Sequence, residues 1–418
     1  MLPDFTTEVL YLTDIKNILK KNADSIRWSF IFTFILGLAA HAFQFLNMNA
    51  SHDFAIEIFS DRERHHYQIA LGRVLEPFYK KFTGSDTSMP WTVGCIAIVW
   101  IALAVFLTCK MLHLNKKHEI FIVSGIFVTN QTVLCIVATY IPWLGADMFA
   151  MLCAVAAAFI WRIATENKKY LLIPIGALIT AISLGLYQSF ITVTIVLVMI
   201  CCISALLEGR KSLRVFTDGL CAIGMILGGA VIYYILIQII CAITGVTLIE
   251  DSYNTVSNIW SNTEPFFTRI SECYSGVKEL LWGSISSVYP AYAVRTVSII
   301  LLSVTLFFIV RQAIKIRMKP VAVLLLVVLA VLLPLGANVI RLLNPIVHDL
   351  MTFAVWLLYL LPPAIAAITF KKSGTENDTE KLNDTGKTKK YLSVVRVVTC
   401  FFCVLRYMET YRPQILRM

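Results

Sequence analysis

The chain has 418 residues, 58% of them hydrophobic and only 15% charged, against roughly 45–50% apolar and about 25% charged in soluble domains, so a soluble globular protein is excluded. The net charge of +10 is spread over short hinges between apolar blocks, where cytoplasmic loops hold Lys and Arg, and this distribution argues against a nucleic-acid partner. The fold class that remains is an all-α polytopic membrane protein.

The first 27 residues mix acids with Lys16, Lys20, Lys21 and Arg27, which is not the pattern of a cleavable signal peptide. About 20 apolar residues cross the hydrocarbon as a helix. That rule places spans near 28–47, 91–112, 119–140, 147–163, 170–187, 190–207, 215–245, 294–310, 320–340 and 350–370. An eleventh candidate, 391–407, is short and carries Arg396. With the N-terminus inside, the inner connectors collect Lys110, Lys116, Lys117, Arg162, Lys168, Lys169, Arg210, Lys211, Arg214, Arg311, Lys315, Arg317 and Lys319. The short connectors 141–146 and 188–189 hold no basic residue, which assigns them to the outer face by the positive-inside rule.

Two outer connectors are long, 48–90 and 246–293. In the first, Ile69, Val74, Leu75, Phe78 and Phe82 recur at roughly helical spacing opposite Arg73, Glu76, Lys80 and Lys81. This predicts an amphipathic helix lying along the interface, with Lys80 and Lys81 snorkelling to the headgroups. The tract "KKSGTENDTEKLNDTGKTKK" is polar and turn-rich and reads as a disordered cytoplasmic linker, 371–390, before a C-terminal segment 391–418. Of eleven cysteines, all but Cys273 lie in or at the edge of apolar runs and read as small hydrophobes. Cys400 and Cys403 have CxxC spacing but lack a second pair or a nearby His.

The titratable groups gather outside the spans. Asp53 follows the first span by a few residues, where partial burial would suit a carboxylate to take a proton from an incoming hydroxyl. Asp147, in "YIPWLGADMFAM", lies at the same depth on the same face, and also reads as the N-cap of the fourth span. Arg73, with Arg64 before it, offers a planar fork suited to phosphate oxygens. Tyr187 and Gln188 end the fifth span and Asn338 and Arg341 the ninth, followed by His348 and Asp349; polar groups so placed are functional candidates. Within the spans polar residues are few, namely His41, Asn130, Gln131 and Gln238. That pattern favours surface chemistry over the alternative of a lipid-linked sugar transporter or flippase, whose cargo needs ionisable groups in the membrane. A non-catalytic scaffold for glycan assembly is the third reading.

The stretches "SHD", "LGRVLEP", "ADMFAM", "SLGLYQS" and "LPLGANVI", in this order, resemble the motifs of the type II glucosyl transferases, bacterial integral-membrane enzymes of serotype-converting O-antigen glucosylation. The resemblance runs from about residue 28 to 370. It implies a GT-C type membrane domain over 1–370 and a polyprenyl-phosphate-linked sugar, most simply glucose, as donor. A hydroxyl of a cell-surface glycan is the implied acceptor, at the outer face of the bacterial inner membrane. A flippase and a carrier-charging glycosyltransferase would be partners. It further implies Asp53 as catalytic base, joined by Asp147, with Arg73 and Arg64 on the donor phosphate and Tyr187, Gln188, Asn338 and Arg341 around the sugar and acceptor. The family often shows two adjacent acids in the first outer loop, where this chain has His52 before Asp53. No metal is carried over, and no cofactor is implied.

Overall fold

The structure is a computed structural model that describes residues 5–47, 63–85, 89–249, 265–282, 291–344 and 347–371, with side chains in the first helix from Lys20 onward. Asp53, His52, the linker from 372 and the candidate span 391–407 lie outside the described residues, as does the side chain of Arg64.

Among the described residues the fold is all α. In chain order the helices are α1 (Phe5–Leu46), α2 (Glu63–Ala70), α3 (Glu76–Thr83), α4 (Pro90–Met111), α5 (Lys117–Val128), α6 (Gln131–Thr139), α7 (Ile141–Glu166) and α8 (Ile173–Leu186). They continue with α9 (Ile191–Leu207), α10 (Ser212–Thr244), α11 (Phe266–Trp282), α12 (Ala291–Lys315), α13 (Pro320–Ala337), α14 (Ile340–Leu343), α15 (Phe353–Trp356) and α16 (Leu361–Lys371).

Seven helices are long and apolar enough to cross a membrane, and the α5–α6 pair, bent by 46°, makes an eighth. Two shorter apolar helical segments, Tyr170–Leu186 and Phe353–Thr369, account for the other two expected spans. The second is short because a 3-10 turn at Leu357–Leu360 and the pair Pro362–Pro363 interrupt it. The chain is a multi-pass membrane protein.

Local chemistry sets the ends and breaks. Pro320 opens α13, where its missing N–H costs nothing. The bend at Thr129–Asn130 is sustained by side chains: Asn130 Oδ1 accepts from the Val133 N–H at 3.1 Å, and its amide nitrogen donates to the Ile126 and Phe127 carbonyls. Backbone groups freed in an apolar medium must find partners, so this polar residue of the third span is a structural cap. His41 is used in the same way, its Nε2 lying 2.9 Å from the Val128 carbonyl.

We call the end at which α1 finishes the upper end. Contacts Phe45–Gly94 and Gly37–Ile98 run α4 antiparallel to α1, and Ser183 to Ala150 runs α8 antiparallel to α7. The upper end therefore also holds the start of α7, the α8–α9 junction and the finish of α10. Buried Trp161, Phe127, Phe190, Phe353 and Trp356 fill the centre.

Candidate active site

Among the described residues the connector after α1 holds two short helices joined by a tight turn in place of the single interfacial helix expected over Ile69–Phe82. Helix α2 ends in a Schellman motif: the Arg73 N–H reaches the Gln68 carbonyl at 2.9 Å and the Gly72 N–H reaches Ile69 at 2.8 Å. Gly72 takes φ 83°, a left-handed conformation that β-carbon-bearing residues avoid. The glycine of "LGR" thus turns the chain and sets the direction in which Arg73 leaves it.

Three ties hold this turn against the bundle. Gln188 Nε2 donates to the Leu71 carbonyl at 3.0 Å and to the Tyr233 hydroxyl at 2.9 Å. The Tyr233 hydroxyl donates to the Gly72 carbonyl at 2.9 Å. The Leu75 N–H donates to the Gly185 carbonyl at 2.8 Å, and a β-carbon at Gly185 would stand 2.9 Å from the Leu75 side chain. Gly185 is therefore small because the hairpin lies directly on it.

The hairpin presents Arg73 over the Tyr187 ring, its Cζ 4.4 Å from the centroid, a cation–π contact that holds the guanidinium while part of the residue stays accessible. Burial works against its charge, but the fields of Tyr187, Asp147, Glu76 and Tyr67 outweigh burial and raise its pKa. Among the described residues Arg73 joins no ion pair, so the acids balance its charge without closing onto its fork.

Ile69 and Val74 are buried, but along α3 the expected polarity is inverted. Glu76 and Lys80 are only 1% and 3% exposed, whereas Phe82 is 92% exposed. Lys80 does not snorkel: its Nζ lies 3.2 Å from Glu76 Oε1 and 4.5 Å above the Trp143 ring. With its amide nitrogen turned toward Glu76, Gln68 donates to Glu76 Oε2 at 2.9 Å and accepts from Trp143 Nε1 at 3.0 Å. Next to this, Trp100 Nε1 donates to the Tyr79 hydroxyl at 2.8 Å. The charged side turns inward because partners wait there, and the phenylalanines turn outward, as suits a hairpin at an apolar boundary. Lys81, by contrast, is exposed.

Asp147 is 6% exposed and sits in the second turn of α7, whose N-cap is Tyr140. It is not a cap. A carboxylate one turn inside the helix has left the unpaired N–H groups behind, and its strongest electrostatic partner is Arg73.

Arg73, Asp147, Tyr187 and Gln188 are thus brought together, with Gln188 committed to the backbone of the turn. Asn338 and Arg341 are engaged elsewhere: Asn338 Nδ2 donates to the Cys273 carbonyl at 3.2 Å, and Arg341 Nε lies 3.2 Å from Glu272 Oε2. Both tie the turn after α13 to α11. Glu76, Gln68, Trp143 and Tyr233 join the site without having been singled out. The i,i+4 spacing of Glu76 and Lys80 was a usable signal for a pair; nothing in an apolar 33-residue helix marks Tyr233.

No curated protein and no solved structure matches the chain. A family model does: that of Glucosyl transferase GtrII aligns with residues 42–361 of the 418, taking in the hairpin, Asp147, Tyr187 and the Asn338 turn, and the chain belongs to that family of membrane glucosyltransferases.

Proposed function

We propose that this glucosyltransferase takes a hexosyl group, most simply glucose, from a polyprenyl phosphate carrier and places it on a hydroxyl of a cell-surface glycan. The reaction runs at the outer face of a bacterial inner membrane, with the N-terminus in the cytoplasm. The observation that carries the proposal is the presentation of Arg73. A guanidinium held over the Tyr187 ring, set by a Schellman turn and in no ion pair with a described residue, is suited to an incoming phosphate. The basic residues at the opposite ends of the spans support the sidedness.

In the proposed reaction Asp53 removes the proton from the acceptor hydroxyl as its oxygen bonds to the anomeric carbon. The bond from that carbon to the carrier phosphate oxygen breaks, and its electron pair leaves with the phosphate. Charge accumulates there during transfer, so a fixed cation at that position lowers the barrier more than it strengthens ground-state binding. Asp147 orients sugar or acceptor hydroxyls, Arg64 assists the phosphate, and Tyr187 supports the Arg73 plane. Asn338 and Arg341 complete the acceptor side through the turn they anchor. A flippase and a carrier-charging glycosyltransferase would supply the donor.

The test is transfer from polyprenyl-phosphate glucose in membranes carrying the full chain. Asp53→Asn is expected to lower turnover by about 10²–10⁴, the scale of general-base assistance, with unchanged membrane accumulation. Near wild-type turnover would remove Asp53 from the mechanism. Labelling of cysteines introduced at 51–73 from the cytosolic side alone would overturn the sidedness.

A further inference from the structure

One polar residue of the third span has a task that the proposed reaction does not use. Gln131 is fully buried at the start of α6. Its Nε2 donates at 2.6 Å to Asp349 Oδ2, in a 3-10 turn over Asp349–Met351 that precedes α15. Two hydroxyls pin the same residue through its backbone: Thr132 and Thr352 donate to the Asp349 carbonyl at 2.8 and 2.7 Å. Holding the acid has a cost, because Gln131 Oε1 is left buried with no partner, on the order of 1–3 kcal/mol for a stranded acceptor. Folds carry such groups where a site requires them.

The acid itself is half-buried and not neutralised. Asp349 joins no ion pair with a described residue, and its Oδ1 takes no hydrogen bond from one. Gln131 lies about 13 Å along the α6 axis from Tyr140 at the upper end, at 1.5 Å per residue. A carboxylate at that depth faces lipid only at a large cost, so its open side meets water or a polar ligand. The exposure of α6 marks the way in. At 100° per residue Gln131, Cys135 and Ala138 share one face. Along it they are buried, half-buried and exposed in turn as the upper end is approached.

We infer that Asp349 binds a hydroxyl of the acceptor glycan at the floor of a cleft open to the upper end, with Gln131 as the residue that positions it; this rests on the proposed function. A carboxylate only accepts hydrogen bonds, so the occupant must donate them, as a sugar does. A metal ion also suits an acid, but among the described residues no group of three His, Cys, Asp or Glu could hold one. The acceptor is assigned here, and not the donor sugar, because the site stands apart from the phosphate end. The charges that bear on Arg73 are those of Asp147, Glu76, Tyr187 and Tyr67, and Asp349 is not among them. The path between the two runs through the rings of Tyr187, Phe190 and Phe353, whose centroids follow one another at 5.6 and 5.8 Å.

The test uses the full chain in membranes, with polyprenyl-phosphate glucose as donor and, as acceptor, polysaccharide extracted from the envelope of cells lacking the chain. In Asp349→Asn the KM for the polysaccharide is expected to rise about tenfold, the scale of losing a charge-assisted hydrogen bond. The donor KM and the thermal midpoint are expected to stay the same. Gln131→Met fills the same space without the amide and frees the carboxylate. It is expected to raise the polysaccharide KM about threefold, the scale of one neutral hydrogen bond, with kcat kept. An unchanged polysaccharide KM in Asp349→Asn overturns the inference. A change in thermal midpoint alone in Gln131→Met would make that residue structural and remove its positioning role.

A second measurement uses the wild-type chain and does not depend on transfer. A water-soluble carbodiimide with glycine ethyl ester is expected to modify Asp349 in native membranes, read by peptide mapping, and the polysaccharide is expected to protect it. Modification by dicyclohexylcarbodiimide alone would place the acid against lipid. Modification that the polysaccharide does not slow would exclude glycan as the occupant. Either result overturns the inference. Protection without glucosyl transfer would leave Asp349 standing as a glycan-binding residue and remove only the proposed reaction.

Discussion

The two ends of the bundle treat their cations differently. At the lower end Arg162, Arg210 and Arg214 each close onto a carboxylate. Arg162 and Arg210 approach the same Glu166 oxygen at 2.7 and 2.8 Å, and Arg214 meets Asp218 at 3.1 Å and the Thr165 carbonyl at 2.6 Å. These contacts join α7 to α10 and to the α9–α10 connection. At the upper end Arg73 rests on a ring, and the acids around it act through their fields. A guanidinium already closed onto a carboxylate has given up part of its fork to that partner. One held over an aromatic ring and in no ion pair with a described residue keeps it. The same residue type is a brace in Arg162, Arg210 and Arg214, as it is in Arg341 against Glu272 at the upper end, and in the proposed reaction a receptor in Arg73; the difference lies in the partner that fixes it.

The largest effect sharpens this contrast from within the hairpin, where Lys80 and Glu76 form a closed pair. Lys80 and Glu76 are both buried, and removing one partner of such a pair strands the other, at a cost of about 3–5 kcal/mol. Lys80→Met is therefore expected to lower the thermal midpoint in detergent more than any single change at the lower end. Lys80→Met with Glu76→Gln should recover part of the loss, since the stranded charge is then gone. A Lys80→Met protein as stable as wild type would mean that the pair does not brace the hairpin.

Next in size is Arg73, the proposed receptor. Arg73→Ala is expected to leave the thermal midpoint nearly unchanged and lower transfer about 10²–10³-fold, the usual scale for deleting one donor to developing charge. Arg73→Lys should recover only part of it, because an ammonium is a point charge without the fork. If Arg73→Ala instead unfolds the protein while transfer per folded molecule persists, Arg73 is a brace like Arg162, and the contrast between the two ends disappears.

Much of this was legible in the sequence because the bilayer enforces it. Span positions and their alternation follow from block length and basic hinges, and Pro320 and the "LGR" glycine announce a helix start and a turn. The hairpin was misread for a physical reason. Amphipathic periodicity shows that a helix has two faces but not which one meets protein, and within a membrane protein the buried face can be the charged one. Glu76 and Lys80 are inside because Gln68 and Trp143 offer them partners, and Trp143 comes from 63 residues further along the chain than Lys80. Asp147 was misplaced by a turn because α7 begins at Ile141, carried by Pro142, before its long apolar run. Tyr233 and the ties of Asn338 to α11 exist only through tertiary contact.

The smallest effect tests the brace reading at its weakest member. Arg210 and Glu166 side chains are 33% and 26% exposed, so water and salt screen their attraction and the pair contributes about 0–1 kcal/mol. Arg210→Ala also leaves Glu166 in contact with Arg162 at 2.7 Å, which keeps the buried arginine neutralised. The expected result is a shift in thermal midpoint within the scatter of the measurement at 0.5 M NaCl, a slight decrease at low salt, and unchanged transfer at both. The salt comparison matters because the Debye length falls from about 10 Å at 0.1 M to about 3 Å at 1 M, which weakens an exposed pair while leaving Arg162 and Glu166 largely unaffected. A tenfold loss of transfer in Arg210→Ala would mean that the lower end communicates with the upper one through α7, which carries both Arg162 and Asp147, and the two ends would have to be treated as one device.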